Sequence, residues 1–372
     1  MTDEKRPMVY LSDAAIPSRA ANSIQTMKMC EAFAEHGLAV TLIVPNRPTE
    51  ESGDPYAFYD VEECFEIVRV PWKPGERYLY SLLVPYYVRQ VDPDIVYGRF
   101  IPACFFTSLL NYRVIVESHT PVSESQRIIA WMFRTMIRLG RLDHLVVISE
   151  ALQDHYLETY GGLSETDVTV AHDAASKPPD VDPLPFAESE RFQVGYVGHL
   201  YEGKGMSLIA DLIPRCPWAD FHIVGGTDED IAYWKTELEE YENVEFHGFV
   251  PPREVARYQQ SMDVLLAPYQ RNVYGSSGET DLSQWMSPLK IFEYMAAGKP
   301  IVCSNIAVLR EVLEEQESAI LCEPNNAKEW ERELTNLDQD SASRDELGKT
   351  ALEAFKSDHT YYSRAKSILN MF

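Results

Sequence analysis

The sequence predicts an α/β protein made of two Rossmann-like, doubly wound domains. Three observations carry this reading. Short β-branched runs alternate with helix-periodic segments through the first half, a proline-rich stretch breaks the pattern, and the same alternation then restarts.

In the first half the strand-like runs are MVYL, LAVTLIV, FEIVRV, DIVYG, RVIVES and HLVVIS. Between them lie helical faces such as Ile24, Met27, Cys30 and Ala34. Such alternation means a parallel sheet covered on both sides. Residues Ser176 to Ala187, SKPPDVDPLPFA, hold four prolines with Asp180 and Asp182, and read as an irregular linker. The second half runs through FQVGYVG, DFHIVGG, NVEFHGFV, DVLLAP, KPIVC and SAILCE. The expected division is a first domain over 1–180, a second over 181–357 and a C-terminal helix over 358–372. Ligands of doubly wound sheets bind beyond the carboxyl ends of the strands, so two such domains are expected to face across a cleft that holds two substrates.

A length of 372 residues suits two domains with cores of their own, and 45% hydrophobic with 24% charged residues marks an ordered globular chain. No apolar run approaches bilayer length and Met1 to Pro7 is polar, so the expected address is the cytoplasm. The cysteines Cys30, Cys64, Cys104, Cys216, Cys303 and Cys322 are scattered, as reduced core residues would be, and imply no structural metal. A net charge of −25 repels nucleic acid, which is not expected as a partner, and requires any anionic ligand to meet a local positive site. The excess acidity fits adaptation to high salt or plain solubility alike.

The segment SPLKIFEYMAAGKP, Ser287 to Pro300, is the most informative. Pro288 suits the first helical turn and Gly298 the stop, and Ser287, Pro288, Leu289 and Lys290 lead into Glu293. The backbone N–H groups of such a helix start, with the Lys290 charge, form an anion site fit for a diphosphate. Glu293 can accept hydrogen bonds from a diol. Alone it would be read as a solvated carboxylate.

The segment VGYVGHLYEGKGMSLI, Val194 to Ile209, supplies a strand, a turn at Gly198, His199, and Lys204 before a helix opening at Gly205. In VIVESHTP, His119 stands at the end of a strand, as Arg99 does in DIVYGRF. In PSRAANS the small residues, with Ser18, Arg19 and Asn22, suit a phosphate or acceptor loop. His247 to Val250 close another strand.

SPLKIFEYMAAGKP together with VGYVGHLYEGKGMSLI resembles the signature of retaining GT-B glycosyltransferases, especially glycosyltransferase family 4. The resemblance spans nearly the whole chain, tightest from Val194 to Pro300. It implies transfer of a sugar from a nucleotide-diphosphate donor, UDP- or GDP-linked, to a hydroxyl of a carbohydrate or lipid-linked acceptor with retention, without metal or other cofactor. Glu293 then binds the ribose, Lys204 and His199 neutralise the diphosphate, His119 sits beside the transferred sugar, and Val250 borders the base. The C-terminal helix is implied to cross back to the first domain. The family's first glutamate falls on Trp285, so that carboxylate is missing, and the Ser287–Lys290 turn or Asp281 is expected to take over part of the sugar grip. The rival readings are a non-catalytic sugar-nucleotide binder and an epimerase or phosphorylase on the same fold. Asp92/Asp94 and Asp180/Asp182 read as turn and linker residues, not metal ligands.

Finally, RIIAWMFRTMIRLGR contains no acid, and Arg127, Trp131, Arg134, Arg138 and Arg141 recur at helical spacing. A helix from Arg127 to Arg141 that meets the inner face of a membrane or a phosphate-bearing acceptor is expected. The plainer alternative packs its apolar side on the sheet and leaves the arginines solvated.

Overall fold

The computed structural model describes residues 5–49, 51–73, 77–122, 126–188, 190–273 and 281–371. The chain forms two compact units, one of Met1–His172 with Tyr361–Phe372 and one of Asp173–Thr360.

The first unit is built on strands β1 (Arg6–Leu11), β2 (Leu38–Pro45), β3 (Glu66–Val70), β4 (Ile95–Gly98), β5 (Val114–Ser118), β6 (Leu142–Val147) and β7 (Val168–Val170). They form one parallel sheet in the order β3-β2-β1-β4-β5-β6-β7. Helices α1 (Ala21–Glu35), α2 (Pro55–Tyr59), α3 (Arg77–Val91), α4 (Ile101–Ser108), α5 (Arg127–Arg138) and α6 (Glu150–Thr159) make the connections. Central strands read as unbroken apolar runs because both of their faces are covered: Met8, Val9, Tyr10 and Leu11 are all buried. Right-handed crossovers put connections running toward β3 on one face and those running from β3 toward β7 on the other, which gathers α3, α4, α5 and α6 into one layer.

The second unit has strands β8 (Phe192–Val197), β9 (Ala219–Val224), β10 (Val244–Gly248), β11 (Val264–Ala267), β12 (Ile301–Ser304) and β13 (Ile320–Cys322), again parallel, in the order β10-β9-β8-β11-β12-β13. Its helices are α7 (Met206–Leu212), α8 (Asp228–Glu237), α9 (Pro252–Gln260), α10 (Leu289–Ala297), α11 (Ala327–Gln339) and α12 (Ser341–Asp358). Two buried clusters cover its sheet, one containing Trp330 and Phe221, the other Phe292, Met295 and Phe355. The last helix, α13 (Tyr361–Leu369), belongs to the first unit and packs on α1.

Each of the twelve strand-like runs forms a strand, and the two parallel sheets with helical connections are the expected α/β architecture. β7 is a thirteenth, three residues long and too short to register as a pattern. The proline-rich linker is not wholly irregular: Pro185–Glu188 close a 3-10 turn.

The arginine-rich helix is shorter than expected. It stops at Arg138, because Leu139 caps it and Gly140 takes φ +61°. Arg141 therefore lies outside the helical stripe, where its guanidinium donates to Asn111 Oδ1 at 2.6 Å. Ile129, Met132, Phe133 and Met136 are buried, whereas Arg127 and Arg138 are exposed. Arg134 is half-buried, its guanidinium 5.5 Å from the Tyr160 ring centre. The apolar side thus packs inward, as in the plainer reading. All six cysteines are free thiols. Among the described residues no helix is long and apolar enough to cross a membrane.

Candidate functional site

In the second sheet the chain order reverses between β8 and β11, so this boundary is a switch point where loops diverge and leave a crevice. The residues singled out in the two tightest motifs converge there. β8 runs into Gly198, and Lys290 of α10 reaches back over it: a Cβ on Gly198 would lie 2.8 Å from Lys290 Nζ. The Lys290 ammonium lies 3.7 Å from the centre of the buried Tyr196 ring and 5.4 Å from that of Tyr269. Lys204, after the turn, lies 5.4 Å from the Tyr269 ring and 5.4 Å from Tyr201. Two lysines thus share an aromatic shelf, which stabilises ammonium groups without neutralising them.

The frame around this shelf is rigid. Gly205 caps α7 at φ +98°, where a side chain would run into the Pro268 carbonyl oxygen at 1.9 Å, so only glycine lets the Lys204 turn close against the end of β11. The Tyr294 hydroxyl accepts from Val197 N at 2.8 Å and lies 3.3 Å from Val197 O, tying α10 to the end of β8. The Tyr196 hydroxyl donates to His199 O at 2.5 Å. α10 begins after Pro288 with no side-chain cap and ends at Gly298 in the left-handed region. At this start the Ile291 N–H donates to Pro288 O at 3.0 Å, and no side chain caps the N–H groups of Leu289 and Lys290.

The electrostatics are those of an anion receptor. Burial lowers the pKa of Lys204. Burial lowers that of Lys290 much further, repulsion from Lys204 adds to it, and Glu293 opposes it. His199 is pulled down by loss of water and then by both lysines, which favours the neutral imidazole. Glu293 is exposed as a residue, while loss of water around its carboxyl raises it above the ordinary range against the pull of Lys290. Among the described residues neither lysine is ion-paired within 4 Å. An anion with two or more charges would relieve all of these strains together.

Other expected residues have local duties. The Ser287 hydroxyl accepts from Asp173 N at 2.8 Å and is buried, and Leu289 and Pro288 are half-buried at the helix start. Asp281 accepts from Val273 N, Ser283 N and Asn272 Nδ2 at 3.1, 2.9 and 2.8 Å, bonds that hold its carboxyl low and commit it to its own loop. Trp285 is half-buried two residues before Ser287, and Val250 half-buried just past β10.

In the first unit, His119 follows β5 and its Nε2 donates to Glu117 Oε1 at 2.5 Å, which fixes the ring. Glu117 escaped the sequence reading although it stands two residues away. Its carboxylate also accepts from Arg364 Nη2 at 2.9 Å and from the Tyr97 hydroxyl, with Arg99 Nε at 4.0 Å. Burial opposes its charge, but Arg364, Arg99 and His119 together hold its pKa well below the usual carboxylate range. Arg99 also donates to Gln25 Oε1 at 2.9 Å, so it turns into this buried network. Ser18 exchanges backbone bonds with the Tyr59 hydroxyl at 2.6 and 2.8 Å, Arg19 pairs with Glu51 at 2.6 Å, and Asn22 is exposed.

Comparison with known proteins agrees with the fold. Residues 23–174 match the family described as Glycosyltransferase Family 4, and residues 191–340 that described as Glycosyl transferases group 1. The D-inositol 3-phosphate glycosyltransferase of Corynebacterium efficiens is 24% identical over 172 residues, 43% of this chain and 38% of that one. The chain spans less than half the length of the first curated relatives it matches. Among solved structures, the HepE protein of Anabaena in complex with UDP is similar with a TM-score of 0.72 at 12% identity, covering 98% of both chains. Sucrose-phosphate synthase of Thermosynechococcus elongatus is similar with a TM-score of 0.71 at 16% identity, covering 99% of this chain and 98% of that one. Two glycosyltransferase family models thus match, one in each half of the chain, and the fold is the GT-B fold of these solved structures.

Proposed function

We propose that the chain transfers a glycosyl group from a nucleotide-diphosphate sugar to an acceptor hydroxyl with retention at the anomeric carbon. The observation that carries this reading is the pair Lys204 and Lys290 on the Tyr196–Tyr269 shelf, beside the uncapped start of α10. Charge accumulates on the leaving diphosphate as the sugar departs, and fixed cations in a partly dehydrated site stabilise it without reorganising.

In this reading the bond from the anomeric carbon to phosphate oxygen breaks and a bond to the acceptor oxygen forms on the same face. The acceptor proton passes to the leaving phosphate. Glu293 accepts from the ribose diol, His199 and Lys204 hold the diphosphate, Val250 borders the base, and His119 orients the transferred sugar. The lysines and the helix start replace a divalent metal, and no other cofactor is called for. The solved UDP complex makes UDP-sugars the first donors to try, with GDP-sugars next. The acceptors are carbohydrate or lipid-linked hydroxyls of glycoconjugate synthesis in the cytoplasm.

The test is nucleotide release from a panel of UDP- and GDP-sugars, with and without acceptor and with chelator. Acceptor-dependent release that survives chelator, with an axial or equatorial product bond matching the donor, is expected. Tight donor binding with no release would turn the chain into a sugar-nucleotide binder. Release only with magnesium or manganese would remove the lysine-based account.

A further inference from the structure

We infer that the α3–α5 layer of the first unit is a docking face for an anionic lipid bilayer. Across the 15, 8 and 12 residues of α3, α4 and α5 there is no aspartate or glutamate, in a chain that has 58. The layer instead presents Arg89, Arg127 and Arg138 to solvent. The three helices are neighbours, α3 against α4 and α4 against α5, so the acid-free surface is continuous. Its edge is α6, where Glu150, Asp154 and Glu158 restore the charge typical of the chain.

The same layer carries the exposed apolar surface. Of the eleven large apolar side chains exposed among the described residues, eight lie on α3 or on α4, α5 and the residues that cap them. Leu79, Leu82 and Tyr86 follow one helical stripe of α3 at 42, 54 and 64% exposure, and Ile128 and Trp131 stand at 56% on α5. Contiguous apolar surface of this kind marks an interaction site. Aromatic rings among arginines suit the headgroup level of a membrane, where rings sit at the interface and guanidinium groups meet phosphate.

Charge complementarity selects the occupant. A second copy docking by a two-fold axis would bring this face onto itself, arginine toward arginine, with no acid in the three helices to meet them. Anionic headgroups supply the missing charge, and the acidic remainder of a chain whose net charge is −25 is repelled by them, which orients the molecule with this layer down.

The experiment is flotation of the full chain with phosphatidylcholine vesicles, with and without phosphatidylglycerol, at increasing salt. Wild type should float only with phosphatidylglycerol and detach as salt rises. Arg127→Glu with Arg138→Glu should lower partitioning roughly a hundredfold or more, and Leu82→Ser with Tyr86→Ser should lower it too. All four side chains are exposed, so each double variant should keep the wild-type melting temperature. Equal flotation of wild type and both variants, or none by wild type, overturns the inference. So does a dimer in light scattering that Leu82→Ser with Tyr86→Ser breaks, since the face would then belong to a second copy.

Discussion

The Lys290 ammonium lies 3.7 Å from the centre of the Tyr196 ring, directly over Gly198. The position of one cation therefore depends on the absence of a side chain on another element. Gly198→Ala should push the lysine off its shelf and raise the donor KM roughly tenfold, with the fold unchanged by circular dichroism. Steady-state kinetics check this, and an unchanged KM would detach Lys290 from donor binding.

His199 gives a pH dependence. Loss of water and the two lysines depress its pKa in the free protein, and a bound diphosphate offsets the lysines and lets it rise. With the bound value above the free one, donor affinity gains below the free value and loses the gain as pH rises through the bound value. A nucleotide-diphosphate sugar does not itself titrate there. Calorimetric titrations in buffers of different ionisation enthalpy should show proton uptake, reduced in His199→Gln.

The Glu117–Arg364 pair is almost fully buried, with side-chain exposures of 0 and 2%. Arg364→Met leaves a buried carboxylate without its closest arginine and should destabilise the first unit by about 3–5 kcal/mol. Glu117 is held below its unfolded pKa, so its contribution is complete above the unfolded carboxylate value and is lost as pH falls toward the folded one. Calorimetry from pH 7 to pH 3 should show that loss in wild type and a shallower one in the variant.

In the second unit, His222 of β9 is buried and depressed to about 4 by burial, then by His247. Its Nε2 bonds Gln193 Oε1 at 2.7 Å and its Nδ1 bonds His247 Nε2 at 2.9 Å, under a stacked Phe186 ring. The unfolded value is near 6.5, so stability is complete above that pH and falls as pH drops toward 4, by roughly 3 kcal/mol for this group. The melting temperature of the second unit should fall between pH 7 and pH 4.5, less steeply in His222→Gln. His247, shifted in the same direction, keeps part of the slope.

Much of the fold was legible because central parallel strands are covered on both faces and read as unbroken apolar runs, as in Val194 to Val197 and Leu265 to Ala267. The lysine site was legible because Gly198, Lys204, Lys290 and Glu293 lie in two short segments with local helix and turn signals. The Tyr196 and Tyr269 shelf was not, since a buried tyrosine on a strand or just past one looks like core. Nor was the Glu117 network, whose closest arginine, Arg364, is 247 residues away in sequence. Arg141 was misplaced because helical spacing continued past Gly140, where the backbone turns.

The central claim is that Lys204 and Lys290 stabilise a leaving diphosphate while Glu293 holds the ribose. The most direct measurement is kcat/KM for Lys204→Ala, Lys290→Met and Glu293→Ala with the best donor of the panel. Each lysine variant should lose roughly a hundredfold or more in kcat/KM, mostly through kcat, and Glu293→Ala should lose mainly through donor KM. Wild-type kcat/KM in all three would contradict the account.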